Sequence, residues 1–289
     1  MASYIITTDS AADLPAEYIK THNLFVQPLF YSIDDQTYGG DHNLDYPIFY
    51  QMMRDGKMPI TNAIIPAEMV ETLTPLLEKG LDILHIAFSS ALSSSYQNAV
   101  IAANELAELF PERKIIVVDS KSASLGQGLL VHKALKLREQ GKSMEEVADW
   151  IETHKEQLCH QFTVNDLFHL HRGGRVSKTS AIIGTLASIK PVLHIDMDGR
   201  LVPLSKVHGR KKSLVTLVDN MEKSLDGYDG SNDEVFISHG DCLEDAQFVA
   251  NLVKERFGIE TIMIDYVSPT IGAHSGPGTV ALFFMGKTR

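Results

Sequence analysis

Cysteine is scarce: Cys159 and Cys242 are the only two in 289 residues, far apart and outside any CxxC spacing. That leaves no disulfide framework and fits a reducing compartment. No run of about 18 consecutive apolar residues occurs, so stable membrane insertion is not expected. The opening MASYIITTDS has no basic stretch leading into an apolar one. A secretory leader is therefore not expected there, and a cytoplasmic location is. Positive charge is also short, with 26 Lys and Arg against 37 Asp and Glu for a formal net charge of -11. This is the wrong sign for general phosphate-backbone binding, so nucleic acid is not an expected partner. Neither a Walker A motif nor G-x-G-x-x-G appears, which argues against nucleotide binding by this chain. His160, His169 and His171, even with Cys159, lack the second well-spaced pair of a metal site, so neither a metal nor another cofactor is expected.

What is present alternates. Tyr4 to Thr7, Ile83 to Ala87 and Ile115 to Val118 are short aliphatic runs, and amphipathic stretches lie at Ala67 to Glu78, Ser95 to Leu109 and Gly128 to Gln140. Strands separated by helices of this length predict βαβ units and a parallel sheet. After a polar helix over Ser143 to Gln157 the pattern changes. Val192 to Ile195 and Leu201 to Leu204 flank Asp198-Gly199, a hairpin signal, and strands near 234–238, 261–264 and 280–284 alternate with helices near 211–224 and 243–256. The expectation is an α/β protein of two lobes: a parallel-sheet lobe over 1–157 and a mixed-sheet lobe over 158–289, with a cleft between them.

Strands of the first lobe run into small polar loops at Thr7 to Ser10, Ser89 to Ser95 and Asp119 to Ser124. In open parallel sheets such loops form the ligand crevice. Ser10 and Ser122 are read as helix caps. The loop 89–95 holds five serines around Leu92, more than a cap requires, so Ser93 and Ser94 are candidates to grip an anionic oxygen at a helix N-terminus. Thr61-Asn62, before the helix opening at Pro66, offers a second hydroxyl and amide.

In the second lobe His171-Arg172-Gly173-Gly174-Arg175 sets two guanidiniums around paired glycines, and arginine favours planar oxyanions. Glycines and a proline isolate His274 in the segment 271–279, read as a loop with room for a head group. Lys206, Arg210, Lys211 and Lys212 gather where a helix is expected to begin. Cations there oppose the helix dipole, and together with Arg175 they are candidates for docking an anionic partner.

Taken in order, Thr8-Asp9-Ser10, Pro59 to Ala63, Ser89 to Gln97, Asp119-Ser120, Arg172 to Ser177, Ile189 to Leu193 and His274 to Gly278 resemble the DegV family of bacterial fatty-acid-binding proteins. Ala91 and Ser94 stand where glycine is frequent in that family. The resemblance implies two α/β lobes with an acyl chain in a tunnel between them. It also implies a non-enzymatic binding subunit that presents a long-chain fatty acid to a separate fatty acid kinase, which makes the acyl phosphate for lipid synthesis. It places Thr61 and Ser93 as head-group hydroxyls, His274 as the loop histidine and Arg172 as the arginine near the head group. Burying about fifteen methylenes at about 0.8 kcal/mol each gives roughly 12 kcal/mol gross, before ordering costs. Two rivals remain. One is a serine hydrolase of lipid esters, with Ser93 as nucleophile, His274 as base and Asp9 or Asp119 as orienter, although no G-x-S-x-G elbow surrounds Ser93. The other is a carrier of small polar metabolites.

Overall fold

The structure is a computed structural model that describes residues 3–177 and 188–289. The chain opens with β1 (Tyr4–Asp9), α1 (Ala16–Thr21) and β2 (Phe25–Gln27). It then leaves the sheet for an arm of short elements: β3 (Tyr31–Ile33), β4 (Gln36–Tyr38), α2 (Tyr46–Arg54) and β5 (Ile60–Thr61). It returns through α3 (Pro66–Glu78), β6 (Asp82–Ala87), α4 (Ser95–Leu109), β7 (Ile115–Asp119), α5 (Leu125–Glu139) and α6 (Met144–His154). The four long-range strands pair in parallel in the order β2-β1-β6-β7, while β4-β3-β5 make a separate antiparallel sheet.

The second lobe comprises β8 (Leu158–Thr163), α7 (Phe168–Arg172), β9 (Ile189–Ile195), β10 (Leu201–His208), α8 (Arg210–Leu225), β11 (Glu234–His239), α9 (Leu243–Phe257), β12 (Thr261–Tyr266), α10 (Pro269–Ser275) and β13 (Val280–Met285). Its sheet runs β10-β9-β8-β13-β11-β12. Only β11 and β12 are parallel, so this lobe is mixed and the first is parallel. The hairpin expected at 192–204 is longer at both ends. Residues 269–275, expected within a glycine loop, form a short helix instead: Pro269 fits its first turn, where no N–H is needed, and Gly276 at φ +81 ends it.

The period of two along the strands divides the second sheet into faces. Leu158 and Phe162 of β8, with Ala281, Phe283 and Met285 of β13, join the core shared with the first lobe, whereas Cys159, Val280, Leu282 and Phe284 face α8 and α9. Between the two sheets runs α5, whose residues 125–131 are buried all round. Leu125, Leu129, Leu130, Val131, Ala134 and Leu135 pack in one cluster with Ile6 and Leu84 of the first sheet and Phe236 and Phe283 of the second. Its glycines allow the close fit: a Cβ on Gly126 would lie 2.4 Å from His160 Nε2, and one on Gly128 would lie 2.7 Å from the Ala12 carbonyl oxygen.

The far end of α5 holds the lobes through charge. Glu234, buried at the start of β11, accepts from Lys133 Nζ at 2.6 Å and Lys136 Nζ at 2.8 Å and lies 2.7 Å from His132 Nε2. Burial opposes its charge, but these hydrogen bonds outweigh burial and hold its carboxyl well below the usual range.

Candidate functional site

A cavity of ≈ 270 Å³ lies between the lobes, walled by Phe88 and Leu92 from one side and by Phe162, Ile195, Leu201 and Phe283 from the other. Thr61, Asn62, Ser93, Ser94, Arg175 and His274 line the same cavity. They come from the arm, the β6–α4 loop, the segment after α7, and α10. An apolar chamber with a few convergent polar groups is the usual form of a ligand site.

Hydrogen accounting fixes what the two hydroxyls offer. The buried Ser95 hydroxyl accepts from the Ile64 backbone N–H at 3.3 Å and lies 2.9 Å from Ser93 Oγ. If Ser93 donated to Ser95, the Ser95 proton would be buried without an acceptor, so Ser95 donates to Ser93. Ser93 Oγ also accepts the Ser95 backbone N–H at 3.2 Å. Both bonds enter Ser93 as acceptor, and its own proton is free for a ligand.

The same logic holds at Thr61. His274 Nε2 lies 2.7 Å from Thr61 Oγ1, and His274 Nδ1 is buried without a partner. Burial, and then the nearby Arg175 and Arg172 guanidiniums, push this imidazole down to about 4, so it is neutral at pH 7. A proton on Nδ1 would be an orphaned buried donor, which costs more than an orphaned acceptor, so the proton sits on Nε2 and is given to Thr61. The Thr61 proton is thereby released toward the cavity. Gly173 is what lets the ring lie so close, since a Cβ there would be 2.1 Å from Nδ1.

The two arginines are placed differently from expectation. Arg172, expected at the head group, lies outside the cavity wall and donates through Nη2 to the carbonyls of Pro59 at 3.1 Å and Ala273 at 3.0 Å. Arg175, expected on a docking surface, lines the cavity, donates through Nε to the Leu92 carbonyl at 3.0 Å and bonds the Gly173 carbonyl through Nη1. The cause is the turn: Gly174 at φ +75 reverses the chain after α7 and brings the second guanidinium inward. Of the other cations, Lys206, Lys211 and Lys212 are exposed, and Arg210 is drawn to Asp245 at 2.8 Å. None of the four lines the cavity.

Ser94 is exposed at the start of α4 and makes no side-chain cap, and the Asn62 backbone N–H is taken by the Phe30 carbonyl at 2.9 Å. Sequence reading missed Ser95, which resembles any first-turn serine, and the arm, whose strands are too short for periodicity. A hydrolytic triad is not assembled. His274 Nε2 is committed to Thr61, Asp9 accepts from the Ala11 and Phe88 N–H groups and from Gln127, and Asp119 accepts from Ser90 and from the Lys121 N–H. Among the described residues no three His, Cys, Asp or Glu side chains group as metal ligands, and no helix is long and apolar enough to cross a membrane.

Fold and site together define a two-lobed α/β protein with an interlobe cavity lined by apolar side chains and by hydroxyl, imidazole and guanidinium groups. The chain belongs to the DegV family, whose model, described as an uncharacterised protein of that family, matches residues 3–287. It is 42% identical over 291 residues to a DegV domain-containing protein of Clostridium perfringens, covering 100% of this chain and 99% of that one. Among solved structures it is similar to a fatty acid binding DegV family protein of Streptococcus agalactiae, with 30% identity, a TM-score of 0.86 and 100% of both chains covered. A DegV family protein of Ruminococcus gnavus, refined with vaccenic acid, superposes with a TM-score of 0.88 at 26% identity over 98% of this chain and 100% of that one.

Proposed function

We propose that this protein binds one long-chain fatty acid in the interlobe chamber, tail against the apolar walls and carboxylate against Thr61 and Ser93. The observation that carries the reading is the pairing of each hydroxyl with one buried partner, Ser93 with Ser95 Oγ at 2.9 Å and Thr61 with His274 Nε2 at 2.7 Å, from which we infer that each keeps a proton for a ligand. Two neutral donors in the lining of a largely apolar chamber suit an acceptor-only head on an oily chain better than a polar metabolite. Arg175 also lines the cavity, but its Nε and Nη1 are committed to the Leu92 and Gly173 carbonyls, so the uncharged hydroxyls are the assigned head-group contacts. The relatives that bind fatty acids point the same way.

The protein acts as a cytoplasmic carrier without a reaction of its own, holding the acid for a separate kinase that converts it to the acyl phosphate. Burial of the tail supplies affinity, while neutral donors at the head avoid the tight ion pairing that would trap the more highly charged product. The exposed Lys206, Lys211 and Lys212, at the edge strand β10 and the start of α8, are the proposed docking cations. Among the described residues Ser93 Oγ is hydrogen-bonded to Ser95 and to no histidine or carboxylate that would activate it, so ester hydrolysis is not expected.

Solvent extraction of the purified protein followed by mass spectrometry tests the ligand class. The expected result is a near-stoichiometric acid of roughly C14 to C20. A polar metabolite, or ester turnover abolished by Ser93→Ala, overturns the proposal.

A further inference from the structure

The arm formed by residues 28–65 has a core of its own. Tyr31, Ile33, Tyr38, Phe49, Tyr50 and Met53 pack together, and from the second lobe only Ala273 joins them fully buried. The arm meets the first lobe at two adjacent points: the Leu29 N–H donates to Ser10 Oγ at 2.9 Å, and Ile64 is bonded by Ser95 and by Asn98 Nδ2 at 2.7 Å. It is thus a small unit with its own core on a two-strand connection, and its residues Leu29, Thr61, Asn62 and Ala63 line the cavity.

The arm is fastened to the second lobe by packing and by hydrogen bonds: Phe49 and Tyr50 cluster with Ala273, the Tyr46 ring meets the Tyr266 ring edge-on at 5.5 Å, and polar contacts complete the seam. Tyr50 OH donates to the Val267 carbonyl at 2.8 Å, and Arg54 reaches the Asp241 side chain at 2.5 Å and its carbonyl at 3.2 Å. Nearest the site, the Arg172 guanidinium bridges the Pro59 carbonyl, two residues before Thr61, and the Ala273 carbonyl, one residue before His274. We infer that Arg172 is a positioning residue, a latch that holds the arm on α10 so that Thr61 faces His274 and the arm stays in place as one wall of the cavity. Releasing it moves one wall and one head-group donor away together, which couples acid exit to loss of the Thr61 bond. The inference rests on the fatty-acid reading for what passes through the opening, but the latch itself is a property of the chain alone.

Two variants separate a latch from a charge. Arg172→Ala removes both bonds. Arg172→Lys keeps the charge but is shorter and lacks the guanidinium Nη2 that donates to both carbonyls. The dissociation rate of a fluorescent long-chain acid should rise on the order of tenfold in both variants, with the melting temperature little changed. A parallel measurement needs no ligand: spin labels at Ile60→Cys and Leu204→Cys, in a Cys242→Ser background, report the distance from arm to second lobe. Both Arg172 variants should populate a longer distance than the parent. Wild-type release from Arg172→Lys, or an unchanged distance distribution, overturns the latch. A shifted distance in a protein that binds no acid even when wild type overturns the fatty-acid reading and leaves the latch standing.

Discussion

At the scale of single residues the site works by placing protons. Ser93→Ala removes one donor to the head group and strands the Ser95 proton, and Thr61→Ala removes the other and strands the His274 Nε2 proton. Each should weaken fatty-acid affinity by roughly 1–2 kcal/mol, about five- to thirty-fold, in a displacement titration. Unchanged affinity in the double variant would remove the head-group assignment. His274 carries a second expectation. Because its folded pKa lies near 4, it stays neutral from pH 6 to 8, and its bond to Thr61 should not vary there. His274→Gln, which keeps a donor, should retain more affinity than His274→Ala, and reversed order would show that the ring acts otherwise. Thr61, Ser93 and His274 stood out in the sequence as small or polar residues in loops that cap no helix. The sequence points Arg172 to the head group and Arg175 to docking; the structure places them otherwise, because the turn that sends one guanidinium to a carbonyl pair and the other to the cavity depends on the φ of Gly174.

At the scale of elements, legibility followed length. The strands β1, β6 and β7 and the helices α3 and α4 carry several turns or alternations each, and their patterns were readable. The arm was not: β3, β4 and β5 have three, three and two residues, too few for a period to show. The helix α10 was hidden because Gly272 and Gly276 read as loop signals, although Gly272 is required by the Tyr50 hydroxyl, 2.5 Å from where a Cβ would lie. In α5 the glycines invert an ordinary rule. Replacing glycine by alanine inside a helix usually stabilises by about 0.5–1 kcal/mol. At Gly126 the new methyl would press on His160 Nε2 and Phe283 Cδ1, the latter at 2.8 Å. Both residues line the cavity. Gly126→Ala should therefore destabilise by about 1–3 kcal/mol and weaken acid retention; a raised melting temperature would show that the two lobes are less tightly apposed than described.

At the scale of the whole molecule, two lobes were legible from the change of pattern near residue 158, but their shared core was not, since only the fold brings Phe162 and Phe283 against Leu129 and Leu130. Sharing a core buries ionisable groups, and these set opposing slopes of stability against pH. Burial raises Asp9 to about 6 and Asp13 to about 7, so the folded chain keeps protons that the unfolded chain sheds from about pH 4 upward. Their effect is a fall in stability as pH rises toward 7. Burial pushes His85 and His274 down to about 4, so in acid the unfolded chain binds protons that the folded chain refuses. Their contribution is complete above about 6.5 and is lost as pH falls toward 4. The two sets oppose each other between about pH 4 and 6.5, where His160, His169, His194 and His239, also lowered by burial, add to the histidine side. Above that the histidines are neutral in both states, and Asp13 is the group still releasing its proton. Stability measured by denaturant unfolding should decline from about pH 6.5 to 8, with a slope of at most about 1.4 kcal/mol per pH unit. Asp13→Asn keeps an acceptor for the Ser124 hydroxyl, tolerates the left-handed φ of +52 and has no proton to lose. It should flatten the decline, and an unchanged slope in this variant would place the titrating group elsewhere in the fold.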